Sequence, residues 1–222
     1  MPVGQPEFVE NPSNRCPVIL LLDTSTSMTG EPIAQLNQGL NTFFQEVSND
    51  DQARLSLDLA IITFGGTPTL INDFQSVDQL DTPQLQAEGG TPMGEAIDLA
   101  LDYLEKRKAN YKDNQISYYR PWVFLITDGA PNNKERCLQS AQRIQDAEAQ
   151  NKLLFFAVAV KGADMATLQQ IAPSHRPPVW LKQAKFEEMF LWLSDSVGKV
   201  ADSVPGEATP LAPVDGWAEV NS

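Results

Sequence analysis

The sequence predicts an α/β fold, a doubly wound and mostly parallel sheet with helices on both faces. Short apolar runs alternate along the chain with amphipathic helical patterns, and the runs end in polar or glycine-rich turns. Uninterrupted apolar strands are typical of parallel sheets that are covered on both faces. Regular alternation of strands and helices favours the same architecture. One more mixed segment, residues 69–77, is expected to be an antiparallel edge strand.

The predicted strands begin with residues 18–22, the run Val-Ile-Leu-Leu-Leu. The others are expected at residues 55–64, 69–77, 122–127, 153–160 and 178–181. A first helix begins near Pro32, since proline suits the first helical turn. A second helix starts with Thr91 as N-cap and Pro92 after it, and ends at a solvated Lys106-Arg107-Lys108. Residues 109–120 then form a polar connection, and the last helices are expected at residues 133–150, 164–172 and 186–200.

The chain of 222 residues is long enough for one large domain with tails. We predict an N-terminal extension at residues 1–15, the domain at residues 16–202, and an acidic, proline-containing tail at residues 203–222. The tail is expected to be mobile. Its Trp217 is expected in solvent, unless it docks on the domain or on a partner.

Composition and charge exclude several function classes. The chain has 16 Lys+Arg against 29 Asp+Glu, a net charge of −13, which disfavours binding to nucleic acid or to an anionic membrane surface. No apolar segment approaches the length of a membrane helix, and residues 1–15 do not resemble a secretory signal. Cys16 and Cys137 are predicted at opposite ends of the sheet, so free thiols and a reducing compartment are expected.

Oxygen-bearing side chains gather at the predicted carboxyl ends of the strands, where open parallel sheets bind ligands. They are Asp23, Ser25 and Ser27 after the first strand, Thr91 after Gly89-Gly90, and Asp128 after the fourth long strand. Oxygen-only ligands suit Mg²⁺, Mn²⁺ or Ca²⁺ rather than zinc. The two carboxylates balance the charge of a divalent cation without exceeding it. A carboxylate from another molecule is therefore the expected ligand for the remaining coordination position. This chemistry favours the binding of an acidic side chain over the cleavage of a bond.

The pattern Asp23-x-Ser25-x-Ser27, followed by Thr91 and Asp128-Gly129, resembles the metal-ion-dependent adhesion site (MIDAS) of von Willebrand factor type A (VWA) domains. The resemblance covers roughly residues 16–200 and implies a Rossmann-like three-layer sandwich. It implies a non-catalytic module in which those five residues hold Mg²⁺ and a partner protein supplies an Asp or Glu. Thr26 departs from the pattern, because many relatives have glycine there, and it is expected to stiffen the loop without removing a ligand.

Residues 15–25 and 32–39 look closer still to the bacterial TerY/YegL-like branch of this family. That resemblance implies a bacterial cytoplasmic protein linked to tellurite or other stress resistance. It also implies a protein kinase and a PP2C-type, metal-dependent protein phosphatase as partners.

Two alternatives stay open at this point. The first is a Mg²⁺-dependent phosphatase of the haloacid dehalogenase type with Asp23 as nucleophile. That chemistry needs an acid two positions later, where this chain has Ser25. The second is a metal site that only holds the loops together, while the partner docks elsewhere.

Overall fold

The computed structural model describes residues 11, 13–182, 185–203, 211 and 213–220. The strands in these ranges are β1 Cys16–Leu22, β2 Leu57–Gly65, β3 Thr67–Gln75, β4 Trp122–Thr127, β5 Leu154–Ala159, β6 Val179–Leu181 and β7 Ala218–Val220. The helices are α1 Glu31–Asn49, α2 Asp51–Ser56, α3 Met93–Asp113, α4 Lys134–Ala149, α5 Met165–Ile171 and α6 Phe186–Ala201. Single 3₁₀ turns occur at Thr26–Met28 and Val77–Gln79.

The strands form one sheet in the order β3-β2-β1-β4-β5-β6-β7. β1 pairs in parallel with β2 and β4, and β4–β5 and β5–β6 are also parallel. β3 is antiparallel to β2, as the sequence predicts for this edge. The predicted fold class is therefore confirmed, and β7 adds an antiparallel strand at the other edge.

Both faces of the sheet are covered by helices. In β1, Val18, Leu20 and Leu22 point into a core with α1 and α6, whereas Ile19 and Leu21 point into a second core with α3 and α4. All five side chains are fully buried, which explains why the strand is apolar on successive residues. α1 and α6 approach closely at Gly39, where a Cβ atom would lie 2.8 Å from Cδ2 of Phe190.

The prediction of a solvated helix end at Lys106-Arg107-Lys108 is wrong, because α3 continues to Asp113 and replaces part of the expected connection. Arg107 is 8% exposed, and its Nε donates to Oδ2 of the buried Asp58 at 2.7 Å. Tyr111, one turn later, donates to the same carboxylate. The buried Asp58 on β2 thus gives this end of α3 a partner inside the protein, which the helical pattern alone does not reveal.

Trp217 does not lie in solvent, so that expectation is wrong; it docks on the domain instead. The residue is 3% exposed, and its ring packs at a tilted angle against Trp192 of α6, with centroids 5.3 Å apart. Lys182 N donates to Trp217 O at 2.9 Å, and β7 then pairs with β6. Residues 1–10, 12, 204–210, 212 and 221–222 of the predicted extension and tail lie outside the described residues. The division of the chain at residues 16 and 202 stays a prediction.

The two cysteines are free and buried, as predicted. Burial raises the pKa of both the Cys16 and the Cys137 thiol to about 12. Both thiols are therefore protonated near neutral pH and poor nucleophiles. Among the residues that the structure describes, no helix is long and apolar enough to cross a membrane.

Candidate metal centre

The register of the central strands brings the first and third polar loops together. β1 and β4 are parallel neighbours with Leu22 opposite Ile126, and Asp23 N donates to Ile126 O at 2.9 Å. The residues that follow these two strands, Asp23 on one side and Asp128 on the other, therefore leave the sheet side by side. This is the carboxyl edge at which parallel α/β sheets bind ligands.

The loop after β1 folds so that its serines face one direction. Ser25 N donates to Asp23 Oδ1 at 2.8 Å, which closes a turn of the kind that aspartate favours. A 3₁₀ turn, Thr26–Met28, follows, and its Met28 is fully buried and anchors the loop to the core. The hydroxyls of Ser25 and Ser27 consequently lie 2.9 Å apart.

A second loop, Gly89-Gly90-Thr91, packs against the first. Thr26 donates to Gly89 O through both its backbone N, at 3.0 Å, and its Oγ1, at 2.9 Å. Thr26 therefore ties the two loops together through two hydrogen bonds, and its expected stiffening of the loop stays a prediction. Gly89 has φ +69°, and a Cβ atom there would lie 2.6 Å from Gly66 N, so the approach requires glycine.

Thr91 is positioned by Asn132, a residue that sequence reasoning missed. Thr91 N donates to Asn132 Oδ1 at 2.9 Å, and Asn132 N donates to Thr91 O at 3.0 Å. The N-cap of α3 is Pro92 rather than Thr91, so the predicted capping role of Thr91 is wrong. Asn132 lies in a polar turn after Asp128-Gly129, and nothing in that turn distinguishes it from Asn133 beside it.

The side chains from the three loops converge beside Gly129. Ser27 Oγ donates to Asp128 Oδ1 at 2.6 Å. A Cβ atom placed on Gly129 would lie 3.4 Å from Thr91 Oγ1, 3.6 Å from Ser27 Oγ and 3.8 Å from Asp23 Oδ2. With Ser25 Oγ in contact with Ser27 Oγ, the structure brings all five predicted residues into one cluster. Because Gly129 has no side chain, no Cβ atom occupies the position that these oxygens border.

Thr127, the last residue of β4, is a second residue that the sequence analysis passed over. It is fully buried, and its hydroxyl donates to Asp23 Oδ2 at 2.5 Å and accepts from Gly129 N at 3.2 Å. It thereby fixes the orientation of the Asp23 carboxylate and links it to the Asp128-Gly129 loop. A polar residue that ends an otherwise apolar strand was the available signal.

The cluster is buried at its base and open at Ser27. Asp23 is fully buried and Asp128 is 6% exposed, whereas Ser27 is exposed to solvent. Burial raises the pKa of both carboxyls, and hydrogen bonds from Ser25 and Thr127 oppose this effect on the pKa of Asp23. Burial of two carboxylates so close together is costly without a cation.

The donor set has the chemistry of a hard-cation site. It consists of two carboxylates and three hydroxyls, and hard divalent cations prefer such oxygen ligands. No group of three or more His, Cys, Asp or Glu side chains suited to a metal occurs within the described ranges. Because the cluster has only two carboxylates, its three hydroxyls are needed to complete the donor set.

The comparisons with known proteins agree with this architecture. The family model for the von Willebrand factor type A domain matches residues 18–192. The pilus adhesin SpaC from Lactobacillus rhamnosus GG, in its open conformation, has a TM-score of 0.68 at 12% identity, over 84% of this chain and 30% of that one. The manganese-loaded TRAP protein of Plasmodium vivax has a TM-score of 0.57 at 21% identity, over 79% of this chain and 72% of that one.

A third similar structure is proximal thread matrix protein 1 from the mussel byssus, with a zinc-occupied MIDAS motif. Its TM-score is 0.57 at 15% identity, over 86% of this chain and 47% of that one. The chain thus spans less than half of the mussel protein and less than a third of the adhesin. At these identities the likeness shows a shared fold. No curated protein sequence matches the chain.

Proposed function

The chain belongs to the von Willebrand factor type A domain family, and we propose that it is a non-catalytic module that binds a partner protein through a divalent cation. The observation that carries this proposal is the convergence of Asp23, Ser27 and Thr91 oxygens around the space beside Gly129. The partner supplies an Asp or Glu carboxylate, and Mg²⁺ is the proposed ion in the cell, with Mn²⁺ or Ca²⁺ as substitutes.

Five residues would hold the cation: Asp23, Ser25, Ser27, Thr91 and Asp128. A bound divalent cation supplies the positive charge that attracts an acidic side chain. The two carboxylates together balance the charge of one divalent cation, and the three hydroxyls add no negative charge. The exposed Ser27 marks the side from which a partner reaches the cluster.

The neighbouring residues hold the ligands in place. Thr127 and Ser25 N orient Asp23, Asn132 fixes the backbone of Thr91, and Thr26 ties the first loop to the second. These contacts lie within the protein and leave Ser27 accessible.

Two of the structurally similar proteins support a divalent ion at this site. One is manganese-loaded, and the other has zinc in its MIDAS motif. The choice of Mg²⁺ rests on the oxygen-only donor set and on the preference of Mg²⁺ for one or two carboxylates with neutral ligands.

The finer assignments rest on sequence resemblance alone. The TerY/YegL-like branch, a role in tellurite or stress resistance, a kinase and a PP2C-type phosphatase as partners, and a cytoplasmic location stay predictions. The haloacid dehalogenase alternative is not supported, since Asp23 lies within the VWA match and Ser25 stands where that chemistry needs an acid.

Titration calorimetry with Mn²⁺ and Mg²⁺ tests the site. Ser25→Ala and Asp128→Ala should each abolish saturable binding, while their circular dichroism spectra stay like that of the wild type. Ser48→Ala in α1 and Asp113→Ala at the end of α3 are matched controls and should bind as the wild type does. Unchanged affinity in both site variants would refute the assignment.

A pull-down from native lysate with and without chelator tests the bridging role. Chelator should release the retained protein while the circular dichroism spectrum of the module stays unchanged. Retention in chelator would instead favour a metal that only holds the loops. Metal-dependent hydrolysis of a generic aryl phosphate, lost in Asp23→Asn, would contradict a non-catalytic role.

A further inference from the structure

A cavity of about 970 Å³ lies beside the candidate metal centre, between the start of α1, the β5–α5 connection and β6. We propose that this cavity, the flanking pocket, binds the partner segment next to the metal-binding carboxylate, and that this segment carries further acidic residues and a bulky apolar side chain. The inference rests on the proposed function and specifies the chemistry of the partner.

The flanking pocket adjoins the loop that carries Asp128. Gly162 lines the pocket, and a Cβ atom on it would lie 3.0 Å from Asp128 O. Glu31 and Pro32 also line the pocket, and they begin α1 shortly after Ser27 in the chain. An extended peptide advances about 3.3 Å per residue. A partner chain whose carboxylate reaches the cluster therefore enters the pocket within a few residues.

The charge of the pocket differs from that of the rest of the molecule. Its lining includes three lysines, Lys161, Lys182 and Lys185, and two glutamates, Glu31 and Glu219. The whole chain, in contrast, has 16 Lys+Arg against 29 Asp+Glu. A strongly acidic protein repels an acidic partner over most of its surface, so a local excess of lysine selects where that partner docks.

Lys161 is the lysine best placed to meet a partner. It is exposed and, within the described part of the chain, forms no ion pair. Lys182 Nζ donates to the carbonyl of Asp215 at 2.6 Å, a contact that leaves its charge uncompensated. Lys185 pairs with Glu188 at 3.2 Å and adds less.

The walls of the pocket offer an apolar surface. Pro32, Val160, Trp180 and Leu181 contribute apolar area, and Trp180 is only half-buried.

These features together favour a peptide as occupant. The volume matches ligand pockets of about 300–1,000 Å³ and exceeds what one side chain needs. Lysine charge selects carboxylates, and the apolar walls select a bulky side chain. The occupant is therefore an acidic protein segment that includes a large apolar residue.

Fluorescence anisotropy with labelled peptides tests this inference on the full chain in Mg²⁺. The probe is the hexapeptide Gly-Asp-Leu-Glu-Glu-Gly, and two matched peptides replace either both glutamates by glutamine or the leucine by serine. Lys161→Glu is the pocket variant. Lys152→Glu is the control, since it makes the same charge change at an exposed lysine before β5, at the other end of that strand.

We expect the probe to bind the wild type and Lys152→Glu alike and to bind Lys161→Glu about five- to tenfold more weakly, as for one or two opposed charges near a surface. The glutamine peptide should lose most of this sensitivity, and the serine peptide should bind more weakly to every variant. Mn²⁺ affinity should be the same in Lys161→Glu and the wild type.

The outcomes separate this inference from the proposed function. If peptide binding depends on the metal but is the same for Lys161→Glu and for both altered peptides, the pocket assignment is overturned and the proposed function is not. Binding that depends on Lys161 but persists in chelator supports the pocket and contradicts the metal bridge. Absence of saturable binding at about 1 mM probe overturns the pocket proposal, whereas loss of Mn²⁺ binding in calorimetry overturns the proposed function.

Discussion

Thr127 offers a sharp test of how the protein holds its candidate metal centre. Its hydroxyl donates to Asp23 Oδ2 at 2.5 Å and accepts from Gly129 N at 3.2 Å, and its side chain is fully buried. Thr127→Val keeps the shape of the side chain and removes both hydrogen bonds. Asp23 then loses one of the contacts that orient it, while the bond from Ser25 N remains.

The expected magnitude follows from these two contacts. A hydrogen bond to a charged group contributes about 1.5–3 kcal/mol, and leaving a buried partner unsatisfied costs about 1–3 kcal/mol. We expect the free energy of unfolding to fall by about 2 kcal/mol. Residues that orient a metal ligand typically change affinity by about 10–100-fold, and we expect Mn²⁺ affinity to fall within this range.

A matched control lies in the same protein. Thr167 is also fully buried, and its hydroxyl donates to Asp164 Oδ2 at 2.5 Å at the start of α5, outside the cluster. Thr167→Val should lower the free energy of unfolding by a smaller amount in urea denaturation, because Asp164 is partly exposed and water can replace the lost donor, and it should leave Mn²⁺ affinity in calorimetry unchanged. Equal Mn²⁺ affinities in the two variants would refute the orienting role of Thr127.

Three further predictions concern regions outside the cluster. The pKa of Asp164 lies below its ordinary value, chiefly because of the Thr167 hydroxyl, so its stabilising effect should be complete above the unfolded pKa of about 3.9 and be lost as pH falls through the lower folded pKa. The difference in free energy of unfolding between wild type and Asp164→Ala, measured in urea, should therefore shrink from pH 7 to pH 3. An equal difference at both pH values would contradict this. Arg107→Ala leaves Asp58 buried without its ion pair and should cost about 3–5 kcal/mol in urea denaturation without changing Mn²⁺ affinity; a loss below about 1 kcal/mol would show that the pair contributes little. Trp217→Ala removes the ring that packs on α6 and should cost about 3 kcal/mol, measured by the same method; an unchanged stability would contradict docking of this residue.

The long apolar strands were predictable because their burial on both faces leaves an unambiguous pattern. β1 and β4 appear in the sequence as continuous apolar runs, and each is directly followed by its polar loop. Since parallel strands end at a common edge, the sequence also predicts that Asp23 and Asp128 lie near each other.

The contacts that were missed are tertiary. Thr127 and Asn132 act through partners more than 40 positions away in the chain, at Asp23 and Thr91. Trp217 lies among prolines and acidic residues that favour a solvated tail, and its docking depends on the ring of Trp192 in α6 and on the pairing of β7 with β6. Arg107 looks like a solvated helix end until the buried Asp58 is known. Short polar motifs identify such residues poorly because their roles depend on neighbours that local patterns do not specify.

The central claim is that Asp23, Ser25, Ser27, Thr91 and Asp128 jointly hold one divalent cation. The most direct measurement is an anomalous difference map from a crystal of the protein grown with Mn²⁺. The account predicts a single strong peak within bonding distance of oxygens from this cluster, and its absence in crystals of Asp128→Ala. No peak beside Gly129 in the wild type, or a peak bound by other residues alone, would contradict it.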